Sequence, residues 1–197
     1  MSSVIYDYCD GLYINMTNRC PTSCEFCIKR FTDSLGSADS LFLEREPSVE
    51  EVKKELSEWN LDNYEEVVFC GYGEPAMRLP EVLEVAEYIK EEYGKKVRMN
   101  TIGLSDLIWE RKTAADLEGK IDSINVSLNT SDNKAYLELC HPVYGEESFD
   151  AVLEYIKEAK KYVPHVQISA VQNAIPKENY LKCKEIAAAL GVEFKSR

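Results

Sequence analysis

The sequence predicts an α/β protein built on a parallel sheet, and two observations carry that prediction. Short apolar segments alternate along the chain with amphipathic segments of helical periodicity. Two of the apolar segments, 66–70 and 123–128, are rich in β-branched and aromatic residues, as expected of strands that are covered on both faces. Because alternating strands and helices are joined by right-handed crossovers, the strands are expected to run parallel.

Six strands are predicted, at 12–16, 66–70, 96–100, 123–128, 166–171 and 192–195. A complete eight-fold barrel needs about 250 residues, whereas this chain has 197. The sheet is therefore either an open, doubly wound sheet or an incomplete barrel. In both architectures ligands bind at the C-terminal ends of the strands, so motifs that directly follow a strand are candidates for the site.

Six helices are predicted, at 47–59, 79–94, 104–117, 131–140, 148–162 and 179–191. Ser48 and Glu51 have the spacing of a capping box at the start of the first helix. Pro80 in the first turn and Gly94 past the end define the second helix. The long connection 31–47 shows little periodicity and is predicted to be either a lid or a surface excursion.

The composition is that of a globular protein, because 45 % of the residues are hydrophobic, which suffices for a core. The formal net charge of −12 argues against general affinity for nucleic-acid phosphates. The N-terminus lacks the basic and apolar regions of a signal peptide, and no apolar run is long enough to cross a membrane. A soluble, cytoplasmic protein is therefore expected, with residues 1–197 forming a single domain.

Three cysteines, Cys20, Cys24 and Cys27, lie within eight residues in a C-x3-C-x2-C spacing. They follow the strand predicted at 12–16, where the site is expected. Seven cysteines without a secretory leader argue against a disulfide framework. Three readings of the spacing stay open. The thiolates hold three irons of a [4Fe–4S] cluster and leave one open, or they bind zinc with remote ligands, or they are unligated buried thiols.

Two motifs resemble those of the radical S-adenosylmethionine (SAM) enzymes. The segment CPTSCEFC is similar to the family's cysteine signature, with the aromatic Phe26 before the third cysteine. The segment GYGEP resembles the family's Gly-Gly-Glu-Pro element through Gly73, Glu74 and Pro75, whereas Tyr72 stands where many members have a glycine. Four segments together resemble the TatD-associated radical SAM proteins in particular, and the match extends over nearly the whole chain: LYINMTNRCPTSCEFCIKR, EVVFCGYGEP, LELCHPVYGEESFDAVLEYIKE and the ending LGVEF. The resemblance implies an incomplete (β/α)6 TIM-like barrel, parallel in its strands, as one minimal core domain.

The resemblance also implies the cofactors and the reaction. Cys20, Cys24 and Cys27 would hold a [4Fe–4S] cluster whose open iron is chelated by SAM. Reductive cleavage of SAM would then give a 5′-deoxyadenosyl radical that abstracts hydrogen from an unidentified substrate, in an oxygen-sensitive enzyme. A low-potential electron donor of the flavodoxin or ferredoxin type is implied. The small barrel leaves its mouth wide, which predicts a macromolecular substrate or a protein partner that covers it.

Further residues are assigned to SAM by the resemblance. Glu74 and the backbone near Tyr72 and Gly73 would meet the α-ammonium group, and Phe26 would pack near the cluster or the adenine. Short polar side chains would meet the carboxylate and the ribose hydroxyls, and an apolar one would stack on the adenine: Asn100, Ser127 and Asn129, and Val171. Turn, cap and core-packing roles are the alternatives for these four positions.

A second hypothesis, from a different class, is a non-enzymatic iron–sulfur or zinc binding module. It predicts a metal site that does not respond to SAM, and it leaves GYGEP without a purpose beyond a strand-to-helix turn. Cys140 is predicted to be either a buried apolar residue or a group that faces substrate.

Overall fold

The computed structural model describes residues 2–197 and divides them into two compact units. The first unit comprises residues 2–20 together with residues 28–100 and 119–122. The second unit comprises residues 21–27, 101–118 and 123–197. Among the described residues no helix is long and apolar enough to cross a membrane.

The first unit contains four strands and two helices. Its strands are β1 (Ile5–Tyr8), β2 (Gly11–Ile14), β3 (Glu66–Phe69) and β4 (Lys96–Thr101), and its helices are α1 (Val49–Leu56) and α2 (Leu79–Tyr93). β2, β3 and β4 are parallel neighbours in that order, with Leu12 opposite Val67 and Val67 opposite Val97. These three side chains are fully buried. Burial of side chains of this size contributes about 1.5–3 kcal/mol each.

Strand β1 is absent from the sequence-based prediction, which has six strands instead of seven. It runs antiparallel to β2, with Ile5 opposite Ile14 and Tyr8 opposite Gly11. The reversal is a tight turn in which Cys9 adopts a left-handed conformation with φ 52°. A four-residue strand that contains an aspartate gives too little periodicity to be predicted.

The second unit contains three parallel strands and four helices. Its strands are β5 (Ser123–Ser127), β6 (His165–Ala170) and β7 (Glu193–Ser196), and its helices are α3 (Ser105–Ile108), α4 (Asn133–Cys140), α5 (Ser148–Ala159) and α6 (Lys177–Leu190). β6 lies between β5 and β7. The expected capping box of α1 in the first unit is also present, because the Ser48 and Glu51 side chains each bond the other's backbone N–H.

The prediction of one helix over 104–117 is wrong. α3 ends at Ile108, Glu110 takes a left-handed φ of 51°, and a separate 3₁₀ turn follows at Ala114–Leu117. The Asp106 carboxylate accepts hydrogen bonds from the backbone N–H and the hydroxyl of Thr113, both at 2.9 Å. Short polar side chains that bond nearby backbone in this way compete with helix continuation.

The connection 31–47 forms no helix or strand. Hydrogen bonds and packing attach it to the rest of the first unit. The Asn15 side chain donates to the Leu41 carbonyl at 2.8 Å, and the Asn18 side chain bonds both the N–H and the carbonyl of Leu43. Leu41 is fully buried. The segment is therefore packed against the chain that follows β2, which favours a fixed surface excursion over a lid.

Candidate metal and cofactor site

The turn after β3 is bonded to the chain that leads into Cys20. The Glu74 N–H donates to the Arg19 carbonyl at 2.8 Å, and the Cys70 N–H donates to the Ile14 carbonyl at 3.0 Å. The segments that leave the parallel neighbours β2 and β3 therefore run side by side. GYGEP and the first cysteine of CPTSCEFC are brought together within the first unit.

Gly73 occupies a position at which no side chain fits. A Cβ atom there would lie 2.2 Å from the Thr17 carbonyl oxygen and 2.6 Å from the Arg19 carbonyl oxygen. Both obstacles are backbone, so they cannot rotate away. The glycine therefore permits the close approach of the two segments.

Glu74 is a buried carboxylate, with 2 % of its surface exposed. One of its oxygens accepts from the Ala76 N–H at 3.0 Å and caps the 3₁₀ turn Pro75–Arg78. An ionised carboxylate in such a place is costly unless donors or cations satisfy it. Its position directly after β3 and beside Arg19 suits a role in holding a cationic ligand group.

Tyr72 uses its side chain for packing. The ring belongs to a small buried cluster with Tyr6, Ala38 and Leu41 and lies 4.8 Å from the Phe42 ring, centroid to centroid. The hydroxyl donates to the Thr32 carbonyl. Because the side chain is turned to the 31–47 segment, only the Tyr72 backbone is left to serve a ligand. The packing of the ring explains why position 72 carries a tyrosine where the Gly-Gly-Glu-Pro element has a glycine.

An ionic network that the sequence motifs did not reveal supports the chain before Cys20. The buried Arg78 guanidinium donates to the Met16 carbonyl at 3.2 Å and to the Pro47 carbonyl at 2.6 Å. The Glu46 carboxylate pairs with Arg19 at 2.6 Å. Burial alone would raise the pKa of Glu46, but hydrogen bonds from Arg19 and from the Thr17 hydroxyl outweigh it and lower that pKa. No local pattern could have indicated the contacts of Arg78 with Met16 and Pro47 or of Glu46 with Arg19, because these residues are distant in sequence.

Asn100 lies at the end of β4 within a second polar network of the first unit. Its side-chain oxygen accepts from Arg98 at 2.9 Å, and Arg98 pairs with Glu66 of β3 at 2.8 Å. The Tyr13 hydroxyl accepts from the same guanidinium at 3.3 Å. The amide is thus held in place and half-buried, and its predicted contact with SAM stays a prediction.

In the second unit, residues 21–27, here called the cysteine loop, are hydrogen-bonded to the end of α4. The Ser23 N–H donates to the Cys140 carbonyl at 2.9 Å and the Glu25 N–H donates to the Leu139 carbonyl at 3.0 Å. The last carbonyls of a helix have no intrahelical partner, so the loop satisfies them. A further bond joins the Cys27 N–H to the Cys24 carbonyl at 3.1 Å. The backbone on both sides of Cys24 is therefore fixed by a helix terminus.

The Cys24 thiol has an environment that favours its ionised form. A hydrogen bond with the Cys140 thiol lowers the pKa of Cys24 most, a second one with the Thr22 hydroxyl adds to it, and together they outweigh burial. The Thr22 oxygen lies 3.6 Å from the Cys24 sulfur. The positive charge of Arg197 acts in the same direction. Because the thiolate is the form that ligates metal, the Cys24 sulfur is suited to ligate an iron–sulfur cluster or zinc.

Ser127 and Asn129 lie at the C-terminal end of β5 and share one partner. The Arg197 guanidinium donates to the Ser127 hydroxyl at 3.0 Å and to the Asn129 side-chain oxygen at 2.9 Å. Asn129 has a left-handed φ of 64° and is buried. Arg197 directly follows β7, belongs to no motif, and could not be identified from the sequence.

Two other predicted residues are half-buried in the second unit. Phe26 lies in the cysteine loop between Cys24 and Cys27, and Val171 follows β6 at the start of the 3₁₀ turn Gln172–Ala174. Cys20 belongs to the first unit, whereas Cys24 and Cys27 belong to the second. Among residues 2–197, no three His, Cys, Asp or Glu side chains are grouped in a metal-holding arrangement. The three-thiolate ligand set and the SAM contacts therefore stay predictions.

Comparison with known proteins identifies relatives. The sequence model described as the Radical SAM superfamily matches residues 14–190. No curated protein matches the chain. Streptococcus suis SuiB bound to the precursor peptide SuiA is similar in structure, with a TM-score of 0.67 and 18 % identity over 98 % of this chain and 40 % of that chain.

Two further structures are similar. SuiB bound to S-adenosylmethionine has a TM-score of 0.63 and 19 % identity, over 96 % of this chain and 39 % of that chain. Methylornithine synthase (PylB) has a TM-score of 0.63 and 15 % identity, over 98 % of this chain and 53 % of that chain. The chain thus spans about half or less of these proteins. The likeness confirms the predicted fold class, an α/β fold of the incomplete TIM-like barrel type.

Proposed function

The chain belongs to the radical SAM superfamily, and from that premise we propose that it is an enzyme that cleaves SAM reductively at a [4Fe–4S] cluster. The observation that carries the proposal is the hydrogen bond from Glu74 to Arg19. It joins the element assigned to SAM to the residue before the first cysteine assigned to the cluster. A metal scaffold without SAM has no need of that link.

The residues present fit the two cofactors by their donor chemistry. The lowered pKa of the Cys24 thiol favours the thiolate, which is the form that ligates metal. Gly73 keeps side-chain atoms out of the space beside Arg19 and Thr17. When bound, the cluster and SAM supply a 5′-deoxyadenosyl radical that abstracts hydrogen from substrate. The protein's share is to bind, orient and enclose these groups.

We assign the following roles to the chain's own residues. Cys20, Cys24 and Cys27 ligate three irons and leave the fourth to SAM. The buried Glu74 carboxylate accepts hydrogen bonds from the α-ammonium group of SAM, as do the backbone carbonyls near Tyr72 and Gly73. The Tyr72 side chain takes no part, because it packs on the 31–47 segment.

The remaining SAM contacts are assigned to polar and apolar residues at strand ends. Asn100, Ser127 and Asn129 bond the carboxylate and the ribose hydroxyls. Val171 stacks on the adenine, and Phe26 packs near the cluster or the adenine. The support for Ser127 and Asn129 is their common partner Arg197, which fixes both side chains at the end of β5.

The finer assignments are also proposals. We place the chain in the TatD-associated subgroup on the motifs quoted above, as a single core domain. A flavodoxin- or ferredoxin-type protein would supply the electron. One similar structure holds a precursor peptide, which favours a peptide or protein as the macromolecule at the mouth of the barrel. The substrate itself stays open.

The test is the formation of 5′-deoxyadenosine. The protein is reconstituted anaerobically with iron and sulfide, reduced with dithionite, and incubated with SAM. We expect 5′-deoxyadenosine from the wild type and from Cys183→Ala, a buried cysteine of α6, but none from Cys24→Ala. A wild-type protein with an intact cluster that yields none, beside a working radical SAM enzyme, would instead indicate the non-enzymatic binding module.

A further inference from the structure

Cys140 is a buried thiol that the proposed function does not use. It is the last residue of α4, and 1 % of its surface is exposed. Its carbonyl accepts from the Ser23 N–H, and the preceding carbonyl of Leu139 accepts from the Glu25 N–H. The last turn of α4 therefore binds both neighbours of Cys24 through their backbone N–H groups.

Two hydrogen-bonding groups lie next to the Cys24 sulfur. One is the Cys140 thiol, which is hydrogen-bonded to it. The other is the Thr22 hydroxyl, whose oxygen is 3.6 Å away. Cys24 is itself buried, with 8 % of its surface exposed.

We propose that Cys140 is a positioning residue for the cluster: its S–H donates a hydrogen bond to the Cys24 sulfur and raises the reduction potential of the [4Fe–4S] centre. Thr22 acts in the same way with its O–H. The inference rests on the proposed function, because it takes Cys24 as an iron ligand. It gives Cys140 a role other than apolar packing or contact with substrate.

The physical reason is electrostatic. Reduction adds an electron to the cluster, and part of the added negative charge resides on the thiolate sulfurs. A donor aimed at a ligand sulfur stabilises that charge, so hydrogen bonds to the sulfurs belong to the determinants of cluster potential. Burial strengthens the effect because the local dielectric is low. Removal of the donor therefore makes the potential more negative.

The experiment is an EPR-monitored redox titration of the reconstituted holoprotein without SAM or substrate. Cys140→Ala removes the donor, Cys140→Ser keeps one, and Thr22→Val removes the hydroxyl in a similar volume. Cys183→Ala is the matched control, because it deletes a buried thiol of α6 in the same unit. We expect a more negative midpoint for Cys140→Ala and for Thr22→Val, a larger shift when the two are combined, and midpoints near the wild type for Cys140→Ser and Cys183→Ala.

Two results overturn the inference while leaving the proposed function intact. The first is an intact cluster in Cys140→Ala with the wild-type midpoint. The second is an equal shift in Cys140→Ala and Cys140→Ser, which would assign the effect to packing. A wild-type protein that binds no cluster would refute the proposed function itself, and the two failures are thereby distinguished.

Discussion

The Glu74 N–H donates a hydrogen bond across 2.8 Å to the carbonyl oxygen of Arg19. Arg19 is the residue before Cys20, and Glu74 follows β3 within GYGEP. A backbone hydrogen bond therefore connects GYGEP to the residue that precedes the cysteine motif. Displacement of either segment is expected to disturb the other.

Gly73→Ala tests the close approach of these segments. The added methyl group would meet the Thr17 and Arg19 carbonyls at 2.2 and 2.6 Å, so the segments must separate. Overpacking of this kind costs about 1–3 kcal/mol, and we expect a loss of that size in chemical denaturation together with weaker binding of SAM. Gly94→Ala is the control for SAM binding: a Cβ there meets nothing within 4 Å, but the left-handed φ of 61° makes an alanine cost about 1–2 kcal/mol. This variant should therefore lose stability and keep the wild-type affinity for SAM. Unchanged SAM binding in Gly73→Ala would contradict the assigned role of GYGEP.

Tyr72→Phe separates the side chain of Tyr72 from its backbone. Loss of the hydrogen bond to the Thr32 carbonyl is expected to lower the free energy of unfolding by about 1 kcal/mol. The 31–47 segment should be cleaved faster by proteases. SAM binding should be unchanged, because only the backbone is assigned to the ligand. A selective loss of SAM affinity in this variant would show that the hydroxyl contacts SAM.

Arg197→Met tests the support of Ser127 and Asn129. Both side chains lose a charged donor. We expect SAM affinity to fall by roughly fivefold, which corresponds to about 1 kcal/mol, the usual net contribution of a hydrogen bond. Lys195→Met, on an exposed residue of β7, removes the same charge as a control. Equal affinities for SAM in the two variants would contradict the role of Arg197.

The thiol of Cys24 is expected to titrate below an ordinary cysteine in the cluster-free protein. Its hydrogen bonds with Cys140 and Thr22 lower its pKa to about 6, whereas burial raises the pKa of Cys183 to about 11. Only the thiolate reacts with iodoacetamide, so Cys24 reactivity should fall as the pH drops through about 6. Peptide mapping across a pH series measures both sites. A Cys24 midpoint as high as that of Cys183 would refute the assignment.

The same shift predicts a pH dependence of stability. Because the folded-state pKa of Cys24 lies below its unfolded value, the thiolate stabilises the fold fully above the unfolded pKa. That contribution is lost as the pH falls through the folded pKa. In the cluster-free protein, Cys24→Ala should remove this part of the pH profile between the two values, and Cys183→Ala should retain it.

The strands and the two motifs could be predicted because their signals are local. The apolar segments at 66–70 and 123–128 coincide with β3 and β5 to within a residue. The capping box of Ser48 and Glu51 spans four residues and is present. Periodicity and caps depend on neighbours in sequence, which a single chain displays.

The supporting residues could not be predicted because their partners are remote. Arg78 bonds Met16, and Arg197 bonds Ser127, across 62 and 70 residues. Cys140 reaches Cys24 only because the end of α4 binds the cysteine loop. An arginine or a cysteine in a helix or after a strand has many possible partners, and only the fold selects one.

The most direct test of the proposed function is the EPR spectrum of the reduced cluster before and after addition of SAM. If SAM chelates the iron that Cys20, Cys24 and Cys27 leave open, saturating SAM must change the g values of the wild-type signal, and Arg197→Met must need more SAM for the same change. A well-formed reduced cluster whose spectrum is the same with and without saturating SAM would contradict the proposed function.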